Sequence, residues 1–587
     1  MHEQRPAPQL FSKKMVFDGE EIEVFYRKAR EPIDPAEGLD LSKEKGLAAT
    51  AHGFCAKFNQ RTYKNEDGIL CEQDIPVTLR DGTVIYCDIY RKEGEENIPV
   101  LVSWSAYGKR PGDGMSEWQV MGVPPGTIST MSKFESADPG YWCHQGYAVA
   151  NVDPRGVGHS QGDICLMGTQ DARDGYDFVE WVAKQHWCNG KVGMAGNSFV
   201  AMTQIRIAAQ QPPSLACIAP WEATCDIFRE SIYEGGIPAL GFNEFVVASL
   251  TGPSLVEDMV ANAKAYPFMN KYWEDKIPNF ANVKIPVYAC ASWSHFHLHG
   301  AFNSFRKMKS TRKWLRAHRE QEWPDASTPA NIEDLKRFFD RYLKNIHNGW
   351  ELTPRYRLEV MDAYDFDYQT YRGEKEFPLA RTEYKRFYLD AAKGALSTEP
   401  VQVKSSVSYD PATEQVNFDL AFEEETEITG YMSLRLWVEA DGHDEMDIMV
   451  NVQKLDEDGN WLPTSILGEP HPGPWGKMRV SRRALDEKLT TKFEPVQSQL
   501  KEEKLSKGEI VPVDIAIVPV SKLYHKGQQL RVQVAGRYIR EGWFEPLIWE
   551  TDNKGKHIIH TGGEYESYLQ APVIPARYKT KSGYTRR

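Results

Sequence analysis

The sequence predicts an α/β protein with a doubly wound parallel sheet, followed by an all-β sandwich. Continuous apolar runs at 98–104 and 147–153 are typical of buried parallel strands. An amphipathic pattern over 171–185 predicts a helix between the second run and a third strand that ends near Ala195. Strands that alternate with helices indicate the doubly wound sheet. Beyond about residue 375, alternating apolar and polar runs recur without a long helix, which predicts an antiparallel jelly roll.

Composition narrows the class of protein. The chain has 587 residues with a net charge of −13, which argues against nucleic acid as the main partner. No run of eighteen apolar residues occurs and the N-terminus lacks the apolar core of a signal peptide, so no membrane partner is expected. The nine cysteines are dispersed and form no CxxC pair, which predicts free thiols in a reducing, cytoplasmic compartment.

Changes of pattern along the chain predict four regions. Residues 1–70 are polar with short apolar islands, and we interpret them as an N-terminal arm that packs on a domain or on a second copy in a homo-oligomer. The α/β domain covers 71–225 and 282–350, and a hairpin around Asp81-Gly82 opens it. Aromatic-rich helical segments at 226–281 interrupt it as a cap, and the sandwich occupies 375–587.

The segment Gly196-Asn197-Ser198 lies between the third predicted strand and a following helix. A tight turn at this place would raise the Ser198 hydroxyl above the sheet, as in the nucleophile elbow G-x-S-x-G. Val200 replaces the last glycine of that pattern, so an ordinary turn with a serine N-cap is the competing interpretation.

A serine nucleophile needs a base, and the base needs an orienting partner. In this type of fold the partners follow in the order serine, acid, histidine. His318 ends the last predicted strand of the sheet, which is the expected place for the base. Order and position together favour a catalytic role over that of a surface histidine.

Seven motifs in one order resemble the cocaine-esterase-like and X-Pro dipeptidyl-peptidase-like serine hydrolases from about Cys71 to the C-terminus. In sequence order they are SAYGK at 105–109, DPRGVGHSQG at 153–162, NGKVGM at 189–194, GNSF at 196–199, APWE at 219–222, FFDRYL at 338–343, and HTGG at 560–563 with SYL at 567–569.

The resemblance implies an α/β-hydrolase core, a helical cap and a C-terminal jelly roll. It also implies that Ser198 is the nucleophile, that His318 is the base, and that the Tyr107 hydroxyl and the Phe199 N–H form the oxyanion hole. The family uses neither a cofactor nor a metal, and none is expected here.

The acid of the triad does not transfer, because His295 stands where the relatives carry an aspartate. A carboxylate elsewhere is one explanation, with Glu222 the first candidate and Asp226 a weaker one. A metal site built from His295, His297 and His299 is a second, since alternate positions of an extended segment face one way. A third is a hydrolase specialised as an acyltransferase, or weakened to a silent ligand-binding protein.

These observations predict a serine hydrolase that cleaves an ester or amide of a small acyl substrate through an acyl-enzyme. The sequence does not identify that substrate. A dipeptidyl-peptidase requires an acidic anchor for the substrate amine, and Glu230, Glu234 and Glu244 in the predicted cap are the candidates.

Overall fold

The structure is a computed structural model. It describes residues 7–31, 57–110, 121–466, 469–539, 547–575, 578–579 and 585–586. Within these ranges, an α/β unit with a mixed sheet comes first and a region built mostly of strands follows it.

The described part of the predicted N-terminal arm contains regular strands. Strands β1 (Leu10–Phe17) and β2 (Glu20–Lys28) pair antiparallel as a hairpin. The arm was expected to be irregular because its apolar residues are few, and one face of β1 is indeed exposed. Residues 32–56 of the arm lie outside the described residues.

The strands between residues 61 and 318 include the eight that form the core sheet of the α/β unit. In chain order they are β3 (Arg61–Lys64), β4 (Ile69–Thr78), β5 (Val84–Lys92), β6 (Ile98–Trp104), β7 (Ala148–Asp153), β8 (Cys188–Asn197), β9 (Leu215–Trp221), β10 (Tyr233–Glu234), β11 (Ile237–Pro238), β12 (Leu255–Glu257), β13 (Val287–Ser292) and β14 (Lys313–His318).

The core sheet has the order β4-β5-β7-β6-β8-β9-β13-β14. Strands β4 and β5 pair antiparallel, as the Asp81-Gly82 hairpin signal predicts, and the strands from β7 onward run parallel. Parallel strands are buried on both faces, so β6 and β7 are continuous apolar runs whose residues are all buried. The carboxyl ends of β8, β9, β13 and β14 meet at one edge of the sheet, where ligands bind in such folds.

Helices cover the sheet and build the segment inserted between β9 and β13. In chain order they are α1 (Pro139–Trp142), α2 (Thr169–Val182), α3 (Ser198–Ala209), α4 (Leu240–Ser249), α5 (Met259–Ala265), α6 (Lys271–Asp275), α7 (Leu298–Lys307), α8 (Glu322–Ser327) and α9 (Pro329–Leu343). Helix α2 is the amphipathic helix predicted over 171–185. No helix in the described part of the chain is long and apolar enough to cross a membrane.

The sequence predicted helical segments here, but the inserted segment is not helical throughout. It also contains β10, β11 and β12, strands of two or three residues that are too short to produce a visible alternation. Strand β12 pairs with β2 of the N-terminal hairpin, with Leu255 opposite Lys28. Arg27 of β2 donates to both carboxylate oxygens of Glu244 on α4, at 2.7 and 2.8 Å. The hairpin is therefore joined to the cap segment.

The C-terminal region consists mostly of antiparallel strands. Its first strand, β15, pairs parallel with β14, so the core sheet extends beyond the predicted boundary. The strands are β15 (Tyr356–Met361), β16 (Asp367–Glu374), β17 (Glu383–Asp390), β18 (Ala395–Ser397), β19 (Ser405–Tyr409), β20 (Gln415–Ala421), β21 (Thr426–Asp441), β22 (Asp447–Leu455), β23 (Thr464–Ile466), β24 (Glu469–His471), β25 (Trp475–Arg479), β26 (Val511–Tyr524), β27 (Gln529–Ala535), β28 (Lys556–Thr561), β29 (Tyr568–Ile574), β30 (Tyr578–Lys579) and β31 (Thr585–Arg586).

The cysteines of the described residues carry free thiols, as their spacing predicts. They are Cys71, Cys87, Cys143, Cys165, Cys188, Cys217, Cys225 and Cys290. Cys55 lies outside the described residues.

Candidate active site

Ser198 stands at a strained turn between β8 and α3. Its φ is 50°, a value that a non-glycine residue adopts at a cost of about 1–3 kcal/mol. Gly196 has a φ of 142°, and a Cβ there would lie 2.5 Å from the carbonyl oxygen of Glu135 and from Cγ1 of Val200. Only glycine fits this position, so the backbone has the geometry that the sequence motif predicts for a nucleophile elbow.

A cavity of about 50 Å³ lies beside Ser198. Its polar lining includes Ser198, Tyr107 and His297. The other lining residues are Leu166, Met167, Phe199, Met202, Thr224, Ile227, Ser231, Phe242, Asn243, Val246, Val247 and Met259. The walls of the cavity thus come from helix α3, from the segment before α2 and from the inserted segment.

The two residues expected to form the oxyanion hole lie together. The rings of Tyr107 and Phe199 are 5.3 Å apart, and both line the cavity. Burial and the neighbouring Glu322 raise the pKa of Glu135 well above its usual range, although hydrogen bonds from Trp323 and from the Phe199 N–H oppose this rise. Tyr107 and Phe199 thus border the same cavity as Ser198.

His318 is buried behind the elbow, with a carboxylate at each ring nitrogen. Its Nε2 is 3.0 Å from Oε1 of Glu222, and its Nδ1 is 3.4 Å from Oδ1 of Asp325. Burial would lower the pKa of His318, but Asp325 and Glu222 together raise it above its ordinary value. His318 is not among the described residues that line the cavity. The structure brings the predicted base to Glu222 but not to the cavity beside Ser198.

Glu222 follows β9 in a strained conformation, with a φ of 58°. Its side chain is fully buried, and Oε2 has no hydrogen-bond partner among the described residues. Its main-chain carbonyl faces the ring of His297, so one residue contacts two histidines through different groups. The alternative acid Asp226 instead accepts from Nη1 of Arg229 at 2.9 Å.

His295, which replaces the expected aspartate, is fully buried and neutral. Its Nδ1 accepts a hydrogen bond from the backbone N–H of His297 at 3.2 Å, so the proton of the neutral ring is on Nε2. That nitrogen lies 3.1 Å from Oε1 of Glu322. Burial lowers the pKa of His295 to about 4. A neutral imidazole cannot stabilise an imidazolium as a carboxylate does, so the structure does not place a conventional acid here.

His297 is the histidine that reaches the cavity. It is the N-cap residue of α7. Helix α7 packs closely on Thr224 because Gly300 has no side chain, and a Cβ there would collide with the Thr224 hydroxyl. Burial and His295 lower the pKa of His297 well below its usual value, and its Nδ1 has no hydrogen-bond partner among the described residues. From the sequence, His297 was a candidate only as a metal ligand. The turn that brings it to Ser198 has no signal in the sequence.

The three histidines proposed for a metal site do not converge. His299 points away, with Nε2 2.8 Å from Oε1 of Glu494. Glu322 takes its place, and single donor atoms of His295, His297 and Glu322 lie within 4.8 Å of one another. This donor set suits zinc in its residue types. An ion there would occupy the only histidine among the described cavity residues.

The fold and the sequence together identify relatives. A CocE/NonD family hydrolase from Staphylococcus aureus superposes with a TM-score of 0.82 at 34% identity, covering 86% of this chain and 94% of that one. The chain belongs to the CocE/NonD hydrolase family. The resemblance expected from the sequence motifs is thereby confirmed.

Further comparisons agree with membership of the CocE/NonD family. Residues 81–266 match the X-Pro dipeptidyl-peptidase (S15 family) model, and residues 348–570 match the X-Pro dipeptidyl-peptidase C-terminal non-catalytic domain. Cocaine esterase from Rhodococcus sp. (strain MB1 Bresler) is 22% identical over 85% of this chain and 98% of its own length. An α-amino acid ester hydrolase shares the fold, with a TM-score of 0.64 at 16% identity. This CocE/NonD protein is a serine hydrolase.

Proposed function

We propose that the protein hydrolyses a carboxylic ester of a small acyl group through an acyl-enzyme on Ser198. The observation that carries the proposal is the strained Ser198, which lines one cavity with a tyrosine and a histidine. Strain at a serine between a strand and a helix is typical of an activated nucleophile. The cavity supplies the two other groups that acyl transfer needs, a base and an oxyanion donor.

In the first half-reaction, Ser198 Oγ attacks the ester carbonyl and its proton passes to His297. The Tyr107 hydroxyl and the Phe199 N–H stabilise the oxyanion. The C–O bond to the alcohol then breaks, and the protonated His297 returns the proton to the alkoxide. In the second half-reaction water attacks the acyl carbonyl and its proton passes to His297. The bond between Ser198 Oγ and the acyl carbon then breaks, the carboxylic acid is released, and the protonated His297 returns the proton to Ser198 Oγ.

We place His297 in the role that the sequence assigned to His318, for a geometric reason. A base in a triad uses one ring nitrogen for the serine and the other for its orienting partner. Both ring nitrogens of His318 face carboxylates. His297 instead lines the cavity, and the Glu222 carbonyl faces its ring as the orienting group. His318 then acts as a positioning residue that holds the Glu222 carboxylate behind this carbonyl.

The test uses a fluorophosphonate probe and short p-nitrophenyl esters on the full chain. We expect Ser198→Ala to abolish labelling and to lower ester turnover by about 10⁶-fold, to background. Ser408→Ala, at an exposed serine of β19, is the matched control and should behave as the unmodified protein. An unlabelled protein that still turns over esters would exclude Ser198, and a labelled one that transfers its acyl group to other acceptors faster than to water would favour the acyltransferase. Absence of both reactions would favour the silent ligand-binding protein.

We further propose that the C-terminal strands adopt jelly-roll topology and that the N-terminal arm supports a homo-oligomer in the cytoplasm. The antiparallel pairings of β21 with β26 and β29 support the first part. A scattering profile with a monomer mass would contradict the second.

A further inference from the structure

We infer that the cavity beside Ser198 holds a neutral, apolar acyl group and rejects substrates with a charged α-amine. The inference rests on the proposed function and deepens it by naming the substrate class. It separates this chain from the amine-recognising activity that the name of its matching peptidase family suggests.

The walls of the cavity are apolar. Among the described residues that line it there is no aspartate, glutamate, lysine or arginine. Three of the lining residues are methionines, whose flexible side chains adapt to irregular apolar groups. The apolar set is Leu166, Met167, Phe199, Met202, Ile227, Phe242, Val246, Val247 and Met259.

Two uncharged polar residues of the wall, Thr224 and Asn243, donate hydrogen bonds to neighbouring protein groups. Thr224 donates its hydroxyl proton to Glu230 at 2.7 Å, and the Asn243 amide donates to the carbonyl of Ala239 at 3.0 Å. The oxygens of these two side chains are neutral acceptors, so they would supply no counter-charge to a substrate ammonium group. Ser198, Tyr107, His297 and Ser231 are the other uncharged polar residues of the lining.

The three acidic residues of the inserted segment that might anchor an amine are engaged elsewhere. Oε2 of Glu230 accepts from the Thr224 hydroxyl and from the backbone N–H groups of Cys225 and Asp226, at 2.7, 2.9 and 2.9 Å. None of the three carboxylates lines the cavity.

The other two carboxylates bind cations on other elements. Glu234 accepts from Trp475 at 2.9 Å and from Lys477 at 2.5 Å, in the C-terminal region. Glu244 accepts both bonds from Arg27 of the N-terminal hairpin. Each is thus part of a structural ion pair.

An ammonium group placed here would lose its water without gaining a counter-ion from the described residues of the wall. Burying an unpaired charge is costly, so we expect discrimination of at least about 100-fold in kcat/KM against an α-amino acyl group. The cavity is assigned to the acyl group because that group stays bonded to Ser198 through both half-reactions. The alcohol leaves when the first C–O bond breaks.

The test compares two esters that differ only in the α-amine, methyl phenylacetate and methyl phenylglycinate. Rates are measured at pH 6, where the amine is charged, with glycyl-prolyl p-nitroanilide as a peptidase substrate. We expect methyl phenylacetate to have the higher kcat/KM by at least about 100-fold, with no cleavage of the anilide. Equal rates, or faster turnover of either amine, would overturn the inference.

A designed carboxylate supplies a second measurement. Val246→Asp is expected to raise the phenylglycinate-to-phenylacetate ratio of kcat/KM by about tenfold or more, and Val246→Asn, of the same size but neutral, is the matched control. An unchanged ratio in a folded Val246→Asp protein would show that the wall does not contact the acyl group and would overturn the assignment. Failure of the proposed function looks different, since neither ester would then react and the fluorophosphonate would not label Ser198.

Discussion

Nε2 of His318 lies 3.0 Å from Oε1 of Glu222, and this contact joins the last residue of β14 to the residue that follows β9. The second ring nitrogen of His318 faces Asp325, whose carboxylate is itself bound by Arg316 at 2.8 Å. The imidazole is thus held from two sides. It is suited to fixing Glu222 and poorly suited to moving a proton to and from Ser198.

The pH profile distinguishes the two histidines. The acid limb of kcat/KM reports the pKa of the base in the free enzyme. The pKa of His297 is well below 6.5 and that of His318 is above it. With His297 as the base, kcat/KM should stay level as the pH falls from 8 to below 6. A limb at or above pH 6.5 would assign the base to His318.

Substitution of each histidine gives an independent answer. We expect His297→Gln to lower kcat with short p-nitrophenyl esters by about 10⁴-fold or more while the protein stays folded. We expect His318→Gln to lower the unfolding midpoint in urea and to change kcat by less than about tenfold. The opposite pattern of rates would return the catalytic role to His318.

Tyr107→Phe removes one oxyanion donor and keeps the ring that packs on Phe199. Loss of one such donor costs about 2.7–4 kcal/mol, so kcat should fall by about 10²–10³-fold with little change in KM. The measurement is steady-state kinetics with p-nitrophenyl acetate. A fall of less than threefold would show that the hydroxyl does not contact the oxyanion.

Glu222→Gln tests the carboxylate of Glu222 without changing the main-chain carbonyl of this residue. The carbonyl that faces His297 is unchanged by the substitution, so we expect kcat/KM to stay within about tenfold. The buried contact with His318 loses its charge, which should lower the free energy of unfolding by about 1–3 kcal/mol in urea titrations. A loss of about 10⁴ in rate with unchanged stability would instead identify Glu222 as the acid of a triad.

Zinc is expected to inhibit. Donor atoms of His295, His297 and Glu322 lie within 4.8 Å of one another, so an added ion would take the imidazole that we propose as the base for Ser198. Micromolar zinc should lower the rate and a chelator should restore it. Loss of activity on chelation, with stoichiometric zinc in the purified protein, would contradict this prediction.

Glu494 connects the C-terminal region to α7 through its contacts with His299 and Arg306. The stability that these contacts give the protein depends on pH. Burial would raise the pKa of Glu494, but His299 and Arg306 hold it at about 2. Because the folded value is below the unfolded one, the pair stabilises the protein above about pH 4.5, by about 3 kcal/mol, and this is lost as the pH falls towards 2. Glu494→Gln should remove most of it at pH 7 in urea unfolding. Glu566→Gln, at an exposed site, should shift stability by less than about 0.5 kcal/mol.

The hydrolase core is predictable from local pattern. Buried parallel strands are continuous apolar runs, and the turn at Gly196 needs a residue without a side chain, so both leave marks in the sequence. The pairing of β12 with β2 leaves none, because three residues carry no periodicity and their partner lies more than 200 positions away. The extension of the core by β15 was missed because its parallel pairing with β14 depends on the path of the chain through the intervening helix α9, which local pattern does not show.

The candidate site likewise has residues that the sequence motifs predict and one that they do not. Ser198, Tyr107 and Phe199 follow motifs and meet in one cavity. His297 was missed as a candidate base because alternation at 295, 297 and 299 suggested an extended segment, whereas the chain turns into α7 and sends His299 towards Glu494. The identity of the histidine in the cavity depends on that turn, which is decided by the close packing of Gly300 on Thr224.

The N-terminal hairpin has a consequence for how the enzyme is handled. Arg27 holds Glu244 on α4, and the same helix carries Phe242, Val246 and Val247 into the cavity. A tag, a truncation or a proteolytic nick at the amino end would therefore change, through this helix, how the cavity packs on the acyl group. Preparations that share every catalytic residue would then rank acyl chain lengths differently, and selectivity could be engineered from a segment that never touches the substrate.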